Sequence, residues 1–334
     1  MLASCRDEAR DRSDDPSSDR SSDPSLSSRP FAFRDPDVIE ATTRILGPLA
    51  SRVFRYEFRG LDSIPRTPCL LVGNHSGAGV VEVPCMLVRW HQHFGEDRPG
   101  FGLTNVLSLG YPKIGGWLRA IGGVDASYEN ARACLAAGKD TLVFPGGDID
   151  SFRPFYQTRR VIFGQRRGYI RLALEMNVPI VPLATLGSHL TYWMMPGNTW
   201  VAKKLGLKRS PVRLESAPLT IGTVGTVAAM GAAAMGLLHP AFAALMVGAA
   251  ALPFPARITT EALPAIDLSR ELSASLDPTE RVERGHEMVI TALERALQRM
   301  NHRRPLAHPA IADRAQERNE ESTACDNGMP ASPR

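Results

Sequence analysis

The chain has 334 residues, of which 43% are hydrophobic and 22% are charged, so it can bury a sizeable core and is not disordered throughout. The formal net charge of +4 is too small to indicate a nucleic-acid-binding protein without a local basic patch. The five cysteines include no Cys-x-x-Cys pair, which argues against a disulfide framework or a zinc site and favours a reducing compartment.

Both ends of the chain are polar. Residues 1–35 carry eight acids, six arginines and many serines, and they contain no apolar segment of the kind that a signal peptide needs. Such a stretch cannot bury enough surface to offset the entropy lost on ordering. We therefore expect disordered tails over 1–35 and 305–334, with one folded domain over 36–304.

The folded region alternates between helical and strand patterns. Residues 36–52 place their apolar side chains on one stripe, which suits a helix that packs on the core or lies on a membrane surface. Prolines at the margins of the apolar run 178–183 suit an edge strand or strand ends. Strands alternating with helices predict an α/β domain. The remaining predicted strands are 54–59, 69–73, 141–144 and 257–261, and the remaining predicted helices are 80–94, 130–137, 168–176 and 280–300.

An uncharged segment interrupts this domain from Ser216 to Ala256. His239 and Pro240 divide it into a longer arm rich in Gly, Ala and Thr and a shorter arm. A membrane span needs about 20 apolar residues, so a membrane-embedded hairpin, a single span and two buried helices all remain open. Proline favours a bend between the arms. If both flanks belong to one domain, the chain must leave and return on the same face, which favours the hairpin.

Two predicted strand ends carry residues that could do chemistry. Asn74 and His75 follow the first buried strand, and an imidazole titrates near neutral pH, so His75 could act as a general base. A carboxylate would fix the tautomer of such a base, and Glu82 is the nearest downstream acid. Gly146 and Gly147 follow another strand, where exposed backbone amides could hold an oxyanion or a phosphate. Taken singly, a structural histidine and an ordinary turn are the more common explanations of these patterns.

A basic stretch follows the two glycines. There is no acid from Ser151 to Leu174. Guanidinium groups match phosphates and anionic lipid headgroups, while nucleic acid and a solvated face are alternatives. The six arginines of the stretch are Arg153, Arg159, Arg160, Arg166, Arg167 and Arg171.

These blocks occur together and in a familiar order. The segments LLVGNHSGAGVVE at 70–82, FPGGD at 144–148 and VPIVP at 178–182 resemble the glycerolipid acyltransferase superfamily. The resemblance is strongest to the monoacylglycerol and diacylglycerol acyltransferase branch with its related bacterial lysophospholipid acyltransferases, and it covers about 54–261. It implies a single domain with a central mixed sheet flanked by helices.

The resemblance also implies a mechanism of direct acyl transfer. His75 would take a proton from an acceptor hydroxyl while that oxygen attacks the thioester of an acyl-CoA or an acyl carrier. The family commonly has an aspartate at the position of Val80, and Glu82, the nearest acid, would take its role of holding His75. No metal and no cofactor are expected, since the acyl-CoA is a cosubstrate. The implied substrate-binding residues are Asn74, Gly146, Gly147, Arg153, Arg159 and Arg160.

The expected partners follow from the same resemblance. The acceptor would be a glycerolipid or a lysophospholipid at a membrane surface, with the catalytic domain on the cytoplasmic side and no nucleic acid involved. The block at 120–126 lacks the arginine with which the family binds an acceptor phosphate, and this favours a neutral acceptor. A non-catalytic lipid-binding protein of the same fold and an acyl-thioester hydrolase are the alternative functions.

Overall fold

A computed structural model describes residues 31–75, 79–110, 113–154, 157, 159–194, 218–237, 239 and 252–302. Most of the two expected tails, residues 1–30 and 303–334, lies outside these ranges. At the described start, Phe31 packs edge-on against Phe101, with ring centroids 6.1 Å apart. The Asp35 carboxylate caps the first helix by accepting the backbone N–H groups of Asp37 and Val38.

The central sheet has seven strands: β1 (Glu57–Arg59), β2 (Leu70–Gly73), β3 (Gly100–Thr104), β4 (Gly123–Asp125), β5 (Asp140–Val143), β6 (Ile180–Leu186) and β9 (Thr259–Ala262). A separate antiparallel pair consists of β7 (Trp193–Met194) and β8 (Pro218–Leu219). The order across the central sheet is β1-β9-β6-β2-β5-β3-β4. Strands β6, β2, β5, β3 and β4 run parallel, while β9 is antiparallel to β6 and parallel to β1. The prediction of an α/β domain with a central mixed sheet is therefore confirmed.

Helices cover both faces of the sheet. One core holds Ile170 and Leu293, which belong to the helices on one face. A second core on the other face holds Tyr56, Leu71 and Trp90. The helices are α1 (Pro36–Arg52), α2 (Glu82–Phe94), α3 (Val106–Leu109), α4 (Ile114–Ala120), α5 (Tyr128–Ala136), α6 (Gly147–Ser151), α7 (Gly168–Met176), α8 (Ile221–Ala234), α9 (Leu268–Glu271) and α10 (Pro278–His302).

Strand β6 does not lie at the edge of the sheet, which is one of the two positions that its prolines suggested. It lies inside the sheet, between β9 and β2, so the edge-strand interpretation is wrong. Pro179 precedes the strand, and Pro182 lies just before the four residues that pair with β9. The backbone N–H that proline lacks therefore leaves no gap in that ladder.

The uncharged segment begins and ends in this one domain. Strand β8 pairs with β7, helix α8 follows, and β9 returns to the sheet beside β6. Thr220 caps α8 through a reciprocal bond with Thr223. Residues 240–251, the second arm of the expected hairpin, lie outside the described residues. Among the helices that the structure describes, none combines the length and the apolar character that a bilayer-crossing segment requires.

Candidate active site

The site lies where the parallel strands end. Strands β2 and β5 are adjacent and parallel, so the residues after their carboxyl ends share one edge of the sheet, here called the carboxyl edge. In open α/β sheets ligands bind in the crevice outside this edge. His75 follows β2, and Gly146 and Gly147 follow β5. The two groups of predicted site residues therefore lie together.

The imidazole of His75 is held on several sides. Its Nδ1 contacts the Glu82 carboxylate, which is fully buried in the first turn of α2. The Phe144 ring stacks on it at a centroid distance of 4.3 Å and an interplanar angle of 22°. Gly79, with φ of 68°, lies so close that a Cβ there would be 2.4 Å from Nε2. With Nδ1 bound to Glu82, Nε2 is the nitrogen that can accept a proton from a substrate.

Asn74, which was expected to bind substrate, is hydrogen-bonded within the protein. Its side chain is fully buried and bridges to β6, donating from Nδ2 to the Thr185 carbonyl at 3.0 Å and accepting the Thr185 N–H at 2.8 Å. Both ends of the amide are therefore bonded to backbone rather than to a ligand. Asn74 fixes the end of β2 against β6 immediately before His75.

The two glycines shape the turn after β5. The N–H of Gly147 donates to the Phe144 carbonyl at 3.0 Å, so this amide closes the turn instead of facing a ligand as expected. A Cβ on Gly146 would lie 2.3 Å from the Cβ of Asp150. Glycine at 146 thus allows Asp150 to approach the turn closely.

Arg153 was expected to bind a phosphate, and the structure places it inside the protein instead. Only 2% of its side chain is exposed. Its Nη1 donates to the carbonyl of His75 at 2.8 Å, and its Nε donates to the carbonyl of Gln157 at 3.0 Å. Arg159 is half-buried and Arg160 is exposed, so these two arginines are more accessible to an anionic ligand.

Asp150 is a site residue that the sequence reasoning missed. One carboxylate oxygen accepts the N–H of His75 at 2.6 Å, and the other accepts the N–H of Ile162 at 3.0 Å and contacts Arg153. Burial raises the pKa of the Asp150 carboxyl, and the charge of Arg153 opposes that rise. The available signal was an acid soon after the glycines, but Glu82 is the acid nearest to His75 downstream in the sequence and Asp150 is 75 residues away.

An apolar cavity of about 90 Å³ lies between α2 and the sheet. Val83 and Met86 of α2 form one wall, directly after the carboxylate that holds His75, and Leu71, Gly102 and Leu142 lie on the sheet side. No cluster of three or more His, Cys, Asp or Glu side chains suited to a metal ion occurs within the described part of the chain.

Comparisons with known proteins find similarity over part of the chain. Residues 55–186 match the acyltransferase family model, and this range includes both chemical blocks. Uncharacterized proteins of Mycobacterium tuberculosis and Mycobacterium leprae are 31% and 29% identical over 160 residues, 48% of this chain. The matches cover 45% and 44% of those relatives, so the chain spans under half of their length.

One solved structure also resembles the chain. It is the crystal structure of the 1-acyl-sn-glycerophosphate (LPA) acyltransferase PlsC from Thermotoga maritima. The likeness has a TM-score of 0.48 and 15% sequence identity, and it covers 83% of this chain and 87% of that one.

Proposed function

We propose that this protein, whose residues 55–186 match the acyltransferase family, moves a fatty acyl group from an acyl thioester to a hydroxyl of a glycerolipid. The observation that carries the proposal is the contact between His75 and the buried carboxylate of Glu82 at the carboxyl edge. A buried acid on Nδ1 leaves Nε2 as the base and stabilises the imidazolium that forms.

The proposed reaction balances without a covalent enzyme intermediate. The acceptor hydroxyl gives its proton to Nε2 of His75 while its oxygen attacks the carbonyl carbon of acyl-CoA. The carbon–sulfur bond then breaks, and the departing thiolate takes the proton from the imidazolium. Glu82 stays ionised and holds the ring throughout. Arg159 and Arg160 are proposed to bind the phosphates of the donor. The reaction is proposed to take place on the cytoplasmic side of a membrane.

The cavity beside α2 is proposed to hold part of the acyl chain. Most of its lining residues are aliphatic or aromatic, and one of them, Val83, follows Glu82 in the sequence. Burying an apolar chain there removes it from water, which is favourable in proportion to the area buried.

The surface of α8 supports association with a membrane. The small or polar residues Gly222, Thr226 and Ala229 face inward, while Val227 is 70% and Met230 is 56% exposed. This is the reverse of the usual pattern, in which large apolar side chains face the core. The helix follows β8, which pairs with β7 just after the carboxyl end of β6, and β9 then runs antiparallel to β6. The described residues on both sides of the helix therefore meet the sheet at the same edge as His75.

Binding to lipid vesicles tests the proposed membrane surface. The triple variant Val224→Gln, Val227→Gln, Met230→Gln keeps the charge and favours helix, yet removes the apolar face. We expect its affinity for vesicles of phosphatidylcholine with phosphatidylglycerol to fall about 100-fold or more. Gln298→Leu, at an exposed position of the polar helix α10, is the control and should leave binding unchanged. Equal binding by the triple variant and the wild type would refute this surface.

Product analysis tests the proposed activity. Wild type and His75→Ala receive a labelled long-chain acyl-CoA and, in separate reactions, lysophosphatidic acid, lysophosphatidylcholine, monoacylglycerol, diacylglycerol and a long-chain alcohol. A labelled ester formed only by the wild type would support the proposal and identify the acceptor. Labelled free acid in place of ester would favour a thioester hydrolase. Neither product, with acyl-CoA and with an acyl carrier, would favour a binding protein.

A further inference from the structure

The backbone of His75 is held on both of its peptide groups. Its N–H donates to Asp150 at 2.6 Å, and its carbonyl accepts from Arg153 at 2.8 Å. Asp150 and Arg153 also contact each other. The two residues therefore form one buried unit, here called the His75 clamp.

The clamp is buried to a degree that is unusual for charged side chains. The exposed fraction of the side chain is 0% for Asp150 and 2% for Arg153. A buried ion pair is often no more stabilising than a well-packed apolar pair, because both charges lose their hydration. Its presence beneath His75 is therefore better explained by the geometry that it enforces than by stability alone.

The geometry also ties a longer segment to His75. Asp150 accepts the N–H of Ile162, and Arg153 donates to the carbonyl of Gln157. The clamp thus fixes the chain after β5 against the residue after β2. It leaves Arg153 committed to backbone groups and to Asp150.

We propose that Asp150 and Arg153 are positioning residues for the acyl transfer reaction: they hold the peptide of His75 so that its ring stays between Phe144 and Gly79 with Nδ1 on Glu82. The inference rests on the proposed role of His75 as the base. A base displaced by even 1 Å can lose two orders of magnitude in rate, so loss of the clamp should appear in kcat.

Asp150→Asn is the first test variant. An asparagine has one acceptor oxygen, so its amide nitrogen must face one of the three donors that the carboxylate accepts. We expect kcat to fall about 10- to 100-fold, with KM for acyl-CoA changed less than twofold. Arg153→Lys keeps the charge but has a single nitrogen, so it cannot make the contacts of both Nη1 and Nε. It should retain part of the stability that the ion pair provides, while its kcat stays low.

The matched control is Asp140→Asn. Asp140 is also buried, accepts the backbone N–H of Cys69 at 3.0 Å and pairs with Arg98, but it lies at the opposite end of β2. It should lower thermal stability about as much as Asp150→Asn while kcat stays within twofold of the wild type. If Asp150→Asn does not fold, Arg153→Lys is compared with Asp140→Asn instead.

A second readout does not depend on activity. The rate at which diethyl pyrocarbonate modifies His75, followed by peptide mass spectrometry, reports how firmly the ring is held. We expect a rate about 10-fold higher in Asp150→Asn and an unchanged rate in Asp140→Asn. If the wild type transfers no acyl group but this difference appears, the proposed function fails and the clamp stands.

Two results would overturn the clamp. One is an unchanged kcat and an unchanged modification rate in folded Asp150→Asn, which would make the pair purely structural. The other is a KM for acyl-CoA raised 10-fold or more at unchanged kcat in Arg153→Lys, which would make Arg153 a donor ligand.

Discussion

Each end of strand β2 is bonded to a buried aspartate that is paired with an arginine. At the amino end, Asp140 accepts the N–H of Cys69 at 3.0 Å and is paired with Arg98. At the carboxyl end, Asp150 accepts the N–H of His75 and is paired with Arg153. Each aspartate is nearly inaccessible to solvent.

The two ends differ in the residue that the Asp–Arg pair binds. Arg98 packs against the rings of Trp90 and Phe94, at 5.6 and 5.0 Å from their centroids, and its partner Asp140 binds the backbone of a buried cysteine. Burial raises the pKa of that thiol, Cys69, to about 12, so it stays protonated and unreactive. The carboxyl end holds an imidazole that contacts Glu82. A buried Asp–Arg pair is therefore no evidence of a site by itself, and the residue that it holds decides its role.

After the loss of His75 itself, the largest effect is expected from changing Glu82 at the carboxyl end. Glu82→Gln keeps the size of the side chain but removes the charge that stabilises the imidazolium of His75. We expect kcat to fall about 100- to 1,000-fold, measured as initial rates with protein of unchanged circular dichroism. Glu283→Gln, in the partly exposed pair with Arg167, is the control and should keep wild-type kcat. A Glu82→Gln variant that is as active as this control would remove Glu82 from the mechanism.

Asp140→Asn sharpens the comparison from the amino end. The change leaves Arg98 without its carboxylate, so we expect the free energy of unfolding to fall by about 3 kcal/mol. Urea denaturation measures this loss, and kcat measured at a temperature where the variant is folded should be close to that of the wild type. A fall in kcat as large as that of Asp150→Asn would erase the distinction between the two ends.

Gly102→Leu tests the cavity that runs beside β2. A Cβ on Gly102 would meet no heavy atom within 4 Å, so a larger side chain there can occupy the cavity. We expect kcat/KM for a 16-carbon acyl-CoA to fall about 10-fold relative to an 8-carbon one, because filling the cavity excludes apolar atoms of the longer chain. Gly116→Leu, at an exposed glycine on α4 outside the cavity, should leave this ratio unchanged. A parallel loss with both donors would place the acyl chain elsewhere.

The smallest effect is expected in the core away from both ends of β2. Burial lowers the pKa of His286 to about 4, from a usual value of 6.5, and its ring accepts or donates a hydrogen bond with Tyr169 at 2.9 Å. Between pH 6.5 and 4 the unfolded chain binds more protons than the folded one, so the free energy of unfolding should fall as pH falls through this window. We expect a loss of about 1–2 kcal/mol, because solvent screens part of the effect.

Denaturation of wild type and His286→Gln across this window measures that loss. Glutamine does not titrate there, so the variant should lose less stability between pH 6.5 and 4 than the wild type. Equal slopes for the two proteins would show that other groups cause the acid sensitivity.

Much of the fold could be predicted from periodicity. Helix α7 lies at the predicted residues 168–176, and the apolar runs before His75 and before Phe144 form β2 and β5. Strand β3 was not predicted, because the glycines at 100 and 102 weaken a strand pattern, although Gly100 suits the close approach of Trp90. The interior position of β6 depends on its pairing with β9, which is distant in sequence.

The site was predictable only in part. The strand ends and the glycines indicated where His75 and the Gly146–Gly147 turn would meet. The roles of Asn74 and Arg153 could not be predicted, since both side chains bond to backbone groups of residues distant in sequence or in a loop. The partner of a buried charge can be identified only once the folded structure is known.

The turnover of purified His75→Ala tests the central claim most directly. The wild type and the variant are compared with the acceptor that product analysis identifies, at equal concentration and with matching circular dichroism spectra. Loss of the base should lower kcat at least about 1,000-fold, since Glu82 and the glycine turn cannot accept the hydroxyl proton in its place. A folded His75→Ala variant that keeps a tenth or more of the wild-type kcat would contradict the assignment of His75 as the base.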